Sequence, residues 1–393
     1  MNKFENTIKK IEEIIEKKYF TGAVLKICKN KEELFSSSFG INDLDTMSKM
    51  NKDLIFRAYS MTKVVTVVSF LILVQENKIK LTDPLYKFFP EFETMKVLDK
   101  ENLENEVHCD TPILMNHLLT MTSSFTYFGN KNRTQKEVTK LLSDFAKKDN
   151  DKFMNYETFM KELSKIPLEF EPGTGWRYGL SLDVIAAVIE KVSGKTFRDY
   201  VLEKVFTPLE MLDSDFYLKD KNREAKVYEW SLIDDEVNLK KIEEFNFFIQ
   251  EIHKVPTMPM GGAGLFTSVD DYTKFLNFLL DGRDGNGNII LKEELLFEMK
   301  SDQLKELRKN FIWTVNKDYS YGYGVRVRME NDNYPLTELG EFGWDGLLGS
   351  TGLVDPKNKI TMCLMLSSKP GHNKLIESEF FDSLYKDLNN LKK

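Results

Sequence analysis

Apolar positions recur at helical spacing through Ile8, Ile11, Ile14 and Ile15, so residues 4–18 predict an amphipathic helix. Two β-rich runs follow, Gly22–Cys28 and Glu33–Phe39, and Lys29-Asn30-Lys31 between them predicts a hairpin. From about Phe56 to His253 the pattern is mainly helical, with helices expected near 64–77, 113–121, 134–147, 157–165, 181–193 and 197–205. The first of these is apolar almost all round from Val64 to Val74, the signature of a helix buried at the centre of a protein. The stretch 224–240 reads as a two-stranded excursion around Asp234-Asp235. A helix over Val269–Leu280 is expected with Ser268 as its N-cap. Strands return at Gly322–Met329, Gly349–Val354 and Ile360–Ser367, and a helix over 373–391 closes the chain. Strands at both ends with helices between them imply an α/β (α+β) fold, one sheet built from the two chain ends with a helical lobe inserted. The expected division is 1–55 plus 265–393 for the sheet part and 56–264 for the helical part, with the active site in the cleft between them.

The chain of 393 residues is long enough for a large core, and 41% hydrophobic with 30% charged residues is the balance of a globular protein. The net charge of −7 and the absence of lysine runs longer than pairs argue against a nucleic-acid partner, which needs a basic face. The longest apolar stretch falls far short of the ~20 residues of a membrane span, and no apolar signal segment follows the charged start. Cys28, Cys109 and Cys363 lack C-x-x-C spacing and suit free thiols in a reducing compartment, so a cytoplasmic location is expected. His108, His117, His253 and His372 show no ligand spacing, and no metal or other cofactor is implied. Phe245, Phe247, Phe248, Ile249 and Ile252 form an apolar stripe that reads as core or cleft wall.

Candidate chemistry begins at Ser60-Met61-Thr62-Lys63, at the mouth of the buried helix. Ser60 and Lys63 are one helical turn apart, so their side chains share a face and the lysine can serve the hydroxyl as proton partner. The tetrad alone is weak: Ser383-Leu384-Tyr385-Lys386 has the same spacing on a polar helix. A second segment, Glu171-Pro172-Gly173-Thr174-Gly175-Trp176-Arg177-Tyr178-Gly179-Leu180-Ser181, turns through Pro and Gly into a helix and sets Tyr178 at its entrance. A phenol beside a lysine ammonium is expected to titrate nearer neutrality and to act as base toward Ser60; taken alone, Tyr178 reads as an aromatic plug. A third segment, Phe342-Gly343-Trp344-Asp345-Gly346-Leu347-Leu348-Gly349, places glycines in an apolar strand, where a backbone N–H can face a ligand. Alone it reads as a hairpin with a bulge.

In this order and spacing the three segments resemble the serine β-lactamase and penicillin-binding protein superfamily, nearest to its class C-like branch of family VIII carboxylesterases and related transesterases. The resemblance extends over nearly the whole chain and includes Leu118-Leu119-Thr120-Met121-Thr122-Ser123-Ser124, Gly261-Gly262-Ala263-Gly264 and Tyr321-Gly322-Tyr323-Gly324. It implies a β-lactamase/transpeptidase-like fold, with Ser60 as acylated nucleophile, Lys63 as its proton-sharing partner and Tyr178 as base and then acid. It also implies an oxyanion hole from the Ser60 and Leu347 N–H groups. Trp344-Asp345-Gly346 stands where lactamases carry Lys-Thr-Gly, and Leu180 where they carry an amide-binding Asn. These departures remove contacts to an anionic lactam, and Asp345 adds a like charge. Leu180, Trp344, Asp345 and Gly346 are therefore expected to shape the substrate site. The function implied is a carboxylesterase for small or medium acyl esters. Acyl transfer to an alcohol, weak β-lactamase activity, a D-amino-acid peptidase or amidase, and a non-catalytic binding protein stand as alternatives.

Overall fold

The computed structural model describes residues 3–147, 155–234, 236–242, 252–310, 318–332, 336–371 and 379–391. Helix α1 (Glu5–Glu16) leads into strands β1 (Gly22–Lys29) and β2 (Glu32–Asp43), which reverse through Asn30 and Lys31, both at positive φ. With β3 (Ser48–Lys49) these strands form one edge of an eight-stranded antiparallel sheet. The remaining five strands are β4 (Tyr319–Tyr321), β5 (Arg326–Arg328), β6 (Phe342–Asp345), β7 (Thr351–Asp355) and β8 (Ile360–Met365). The order is β4–β5–β6–β7–β8–β1–β2–β3, so the two chain ends meet where β1 pairs with β8, with Leu25 opposite Leu364.

Strand alternation divides the core. Ala23, Leu25, Ile27, Met362 and Leu364 point to one face, where α1 and the C-terminal helix α5 (Phe381–Asn390) cover them with Ile11, Ile14, Leu384 and Leu388. Val24, Cys363 and Met365 point to the other face, against α4 (Val269–Phe278) and the main core. Both faces are buried, which is why β8 reads in sequence as an apolar run broken by Thr361 alone.

Helix α2 (Thr62–Gln75) lies at the centre, buried at every position from Thr62 to Leu73, and packs on α3 (Ser181–Ser193). Its apolar side chains contribute roughly 1.5–3 kcal/mol each by leaving water. Further helices at Met115–Leu119, Arg133–Lys147, Tyr156–Leu163 and Phe197–Val201 complete the helical part, and the excursion after it is a hairpin, Val227–Ile233 with Glu236–Ile242.

Some elements differ from the pattern. The strand expected over Gly322–Met329 is only Arg326–Arg328, because the chain first turns back from the strand Tyr319–Tyr321, where Gly322 N–H bonds the Val325 carbonyl and Gly324 takes φ 68°. The helix Glu293–Met299 and the strand pair Lys96–Leu98 with Glu106–His108 carry too few residues for a periodic signal. The closing helix starts at Phe381; 372–378, with His372, lies outside the described residues. So do Phe245, Phe247, Phe248 and Ile249 of the apolar stripe, while Ile252 packs beside Ile55, Leu218 and Phe266.

Candidate active site

The chain enters α2 through a strained turn. Tyr59 takes φ 44°, a left-handed conformation rare for a bulky residue, and its buried ring is held among Val227, Ala263 and Leu348. Ala58 N–H bonds the Leu265 carbonyl at 2.9 Å, and the Tyr272 hydroxyl donates to the Met61 carbonyl at 3.0 Å. The short strand Phe56–Arg57 pairs with Phe266–Thr267 just before the turn. Clamped on both sides, the turn leaves Ser60 partly exposed at the start of a helix whose next residues are all buried.

Lys63 is 0% exposed, and its Nζ has three partners: the Gly262 carbonyl at 2.7 Å, the Tyr127 hydroxyl at 2.9 Å and Ser60 Oγ at 3.2 Å. Burial drives the Lys63 amine well below the ordinary lysine range, with the charge of Asp183 acting against that fall. As an ammonium the group donates to all three; once neutral it keeps two donors, and its lone pair is free to accept from the Ser60 hydroxyl.

Tyr178 meets the other side of Ser60. Its ring lies between Trp176, stacked at 6.1 Å, and Trp344 at 5.6 Å, and the Lys63 ammonium position is 4.6 Å from its centroid. Burial pushes the Tyr178 phenol up rather than down toward neutrality, with its hydrogen bonds to Ser60 and Trp344 acting the other way. The expectation of a phenol titrating nearer neutrality is thereby corrected: burial, with the charges of Asp345 and Asp183 adding to it, outweighs the bonds to Ser60 and Trp344. The Trp344 indole donates to the Tyr178 oxygen at 3.1 Å. An indole N–H can only donate, so the phenolic proton is left for another acceptor.

Tyr127 was not marked by the sequence patterns. It lies three residues beyond Ser124, in a loop without periodicity, and only the chain's return to Lys63 gives it a role. That return is fixed by hydrogen bonds between the two segments: Arg177 N–H to the Met121 carbonyl, Gly173 N–H to the Thr122 carbonyl, and Ser123 Oγ to Ser181 Oγ at 2.8 Å. The same bonds set Tyr178 at the entrance of α3.

The third segment is β6 and the turn after it. Trp344 is fully buried, its ring against Tyr178 and Tyr321, so it supports the phenol instead of offering a flat face to the cleft. Leu180 is also fully buried, at the N-cap of α3. Asp345 pairs with the buried Arg326 at 2.6 Å and accepts a hydrogen bond from Thr351. Its charge is balanced, which corrects the expectation that it repels an anionic substrate. Gly346 passes so close to the nucleophile's turn that a Cβ there would lie 2.6 Å from the Ala58 carbonyl oxygen. The turn closes with Gly346 N–H to Ser350 and Gly349 N–H to Gly346, and Leu347 stands at its crest, 37% exposed. Of the three described histidines, His117 accepts from the Leu114 N–H and His253 lies 3.4 Å from the Leu218 carbonyl, while the exposed His108 stands 4.0 Å from Asp110.

A family model described as Beta-lactamase matches residues 7–380, and the chain belongs to that family. Protein Rv1367c of Mycobacterium tuberculosis (strain ATCC 25618 / H37Rv) is 26% identical over 373 residues, covering 92% of this chain and 89% of the relative. Esterase EstB of Burkholderia gladioli is 25% identical over 370 residues, covering 91% and 88%. The solved structure of EstCE1, a hydrolase with promiscuous acyltransferase activity, superposes with TM-score 0.78 at 21% identity, covering 97% of this chain and 98% of that one, and shares the fold. The β-lactamase/transpeptidase-like architecture and the relation to the esterase branch both hold.

Proposed function

We propose that the protein is a serine hydrolase that cleaves small or medium carboxylic esters through an acyl-enzyme on Ser60. The observation that carries this reading is Lys63: buried, driven toward the neutral amine, and 3.2 Å from a partly exposed serine hydroxyl. In acylation the Ser60 oxygen attacks the ester carbonyl while its proton passes to Lys63 Nζ. The Ser60 and Leu347 N–H groups hold the oxyanion, each such donor contributing roughly 3 kcal/mol. The Tyr178 hydroxyl gives its proton to the departing alkoxide, and Lys63 returns one to the phenolate. Water, deprotonated in the same way, then attacks the acyl carbon and releases Ser60.

The printed names of the relatives support ester chemistry: EstB is an esterase, and EstCE1 a hydrolase with acyltransferase activity. Transfer of the acyl group to an alcohol is the second outcome of the same acyl-enzyme. The absence of a cation at Trp344 disfavours anionic lactams, whereas the argument from Asp345 falls with its pairing to Arg326. We place the protein in the cytoplasm on the strength of three buried free thiols, with small-molecule esters as partners and no role for nucleic acid. No helix among the described residues is long and apolar enough to cross a membrane. The cleft lies between the sheet part (1–55 and 265–393) and the helical part (56–264).

The test is turnover of p-nitrophenyl butyrate, with a chromogenic cephalosporin alongside and product analysis in the presence of added alcohol. Ester turnover with little lactam hydrolysis is expected; lactam turnover at comparable kcat/KM overturns the substrate assignment. Trp344→Phe keeps the ring and removes the N–H that bonds Tyr178. Loss of one such bond is expected to lower kcat about fivefold to tenfold with KM little changed, measured by steady-state kinetics.

A further inference from the structure

Asp183 stands in α3, five residues beyond Tyr178, and is 1% exposed. No sequence motif marked it. Its Oδ1 accepts the Gly262 N–H at 2.9 Å, and the carbonyl of that same Gly262 accepts Lys63 Nζ at 2.7 Å. One backbone residue is thus held by the carboxylate at its N–H and by the lysine at its C=O. Asp183 Oδ2 is buried without a hydrogen-bond partner. A buried carboxylate oxygen left so is costly unless a cation lies within its field. Gly262 is what allows the approach: a Cβ there would lie 2.7 Å from Asp183 Oδ2 and 2.8 Å from the Tyr127 hydroxyl. Thr66 Oγ1 donates to the Gly261 carbonyl at 2.7 Å and ties this segment to α2 one turn beyond Lys63.

From this geometry we infer that Asp183 is the positioning residue for Lys63, holding the Gly262 segment that anchors the amine and balancing its charge whenever it carries the Ser60 proton. This deepens the proposed function and rests on its assignment of Lys63 as proton acceptor. Asp183 touches neither Ser60 nor the substrate position and acts through Lys63.

The groups that face this pair are few. Tyr127 reaches Lys63 from the loop after Ser124, and Tyr178 from the entrance of α3. Tyr321 acts on Tyr127 and is itself raised by Tyr178, and Tyr156 lies near Asp183. Burial pushes all four phenols up, so they are neutral at working pH. Asp345, the other carboxylate near Tyr178, is paired with Arg326. Asp183 is therefore the carboxylate that bears on the Lys63 amine. Burial pushes the Asp183 carboxyl up and the Lys63 charge holds it down; reciprocally, burial lowers the lysine and Asp183 raises it.

The sign of the effect follows. Catalysis needs the neutral amine, so kcat/KM rises with pH through the Lys63 titration. Replacing the carboxylate removes the charge that favours the ammonium, so the acid limb moves to lower pH. The amine is then a weaker base, so the plateau kcat falls. Asp183→Asn is expected to shift the acid limb for p-nitrophenyl butyrate down by about one to two pH units and to lower plateau kcat roughly tenfold. Gly262→Ala, whose methyl displaces the carboxylate, is expected to shift the limb in the same direction and is read independently if Asp183→Asn does not fold. A limb that stays in place or moves up in a folded variant overturns the proposal, since loss of packing alone lowers rates without moving it. Failure of the wider reading looks different: wild-type turnover that survives Ser60→Ala, or that shows no acid limb.

Discussion

Ser60→Ala protein is expected to lose turnover of p-nitrophenyl butyrate by at least about 10³-fold while keeping its fold, because the acyl-enzyme cannot form without the hydroxyl. The folded state does not depend on that oxygen. Ser60 is partly exposed, and its turn is held by Ala58 to Leu265, by Tyr272 to Met61 and by the buried Tyr59 ring. Mass spectrometry with a slowly deacylating ester should show one acyl group on wild-type protein and none on the variant. Lys63→Ala is expected to fall by a similar factor, since nucleophile and base act as one unit. Retention of wild-type turnover by Ser60→Ala would sink the assignment. It would move weight to a second serine: Ser383, of the other S-x-x-K, lies on α5 on the far side of the sheet and donates to the Glu379 carbonyl.

Much of this site is legible in the sequence. The apolar run after Lys63 specifies a buried helix whichever way it is read, and the run's polar mouth marks where chemistry can reach solvent. Pro172, Gly173 and Gly175 force a turn wherever they fall, so Tyr178 had to sit at a helix entrance. What stayed hidden depends on the return of distant chain segments. Tyr127 and Asp183 carry no local pattern; they matter because the bonds made by Met121, Thr122 and Ser123 bring the first within 2.9 Å of Lys63 and the Gly262 N–H bonds the second. Electrostatic balance was equally out of reach. Arg326 neutralises Asp345 only because β5 and β6 are neighbours, with Arg326 opposite Gly343. Desolvation reversed the expected direction at Tyr178, since burial depends on Trp176, Tyr321 and Trp344 arriving together. Residues that define an element are written locally, whereas residues that tune a pKa are written in the tertiary contacts.

The two phenols near Lys63 are separable by leaving group. If Tyr178 donates its proton to the departing oxygen, its loss should matter most where that oxygen leaves as a strong base. A p-nitrophenolate departs unprotonated at neutral pH, whereas an alkoxide does not. Tyr178→Phe is therefore expected to lower kcat/KM for an alkyl butyrate by about 10²–10⁴-fold and for p-nitrophenyl butyrate by much less. Tyr127→Phe removes an acceptor of the Lys63 hydrogen bond and leaves the leaving-group side untouched. It should lower both substrates alike, by roughly tenfold, the worth of one hydrogen bond to a group that becomes charged. The raised Tyr178 phenol supplies the reason for the difference: a group that holds its proton at working pH serves as acid, and the lowered Lys63 amine serves as base. Equal losses on both esters in Tyr178→Phe would reverse the assignment and make the phenol the group that receives the Ser60 proton.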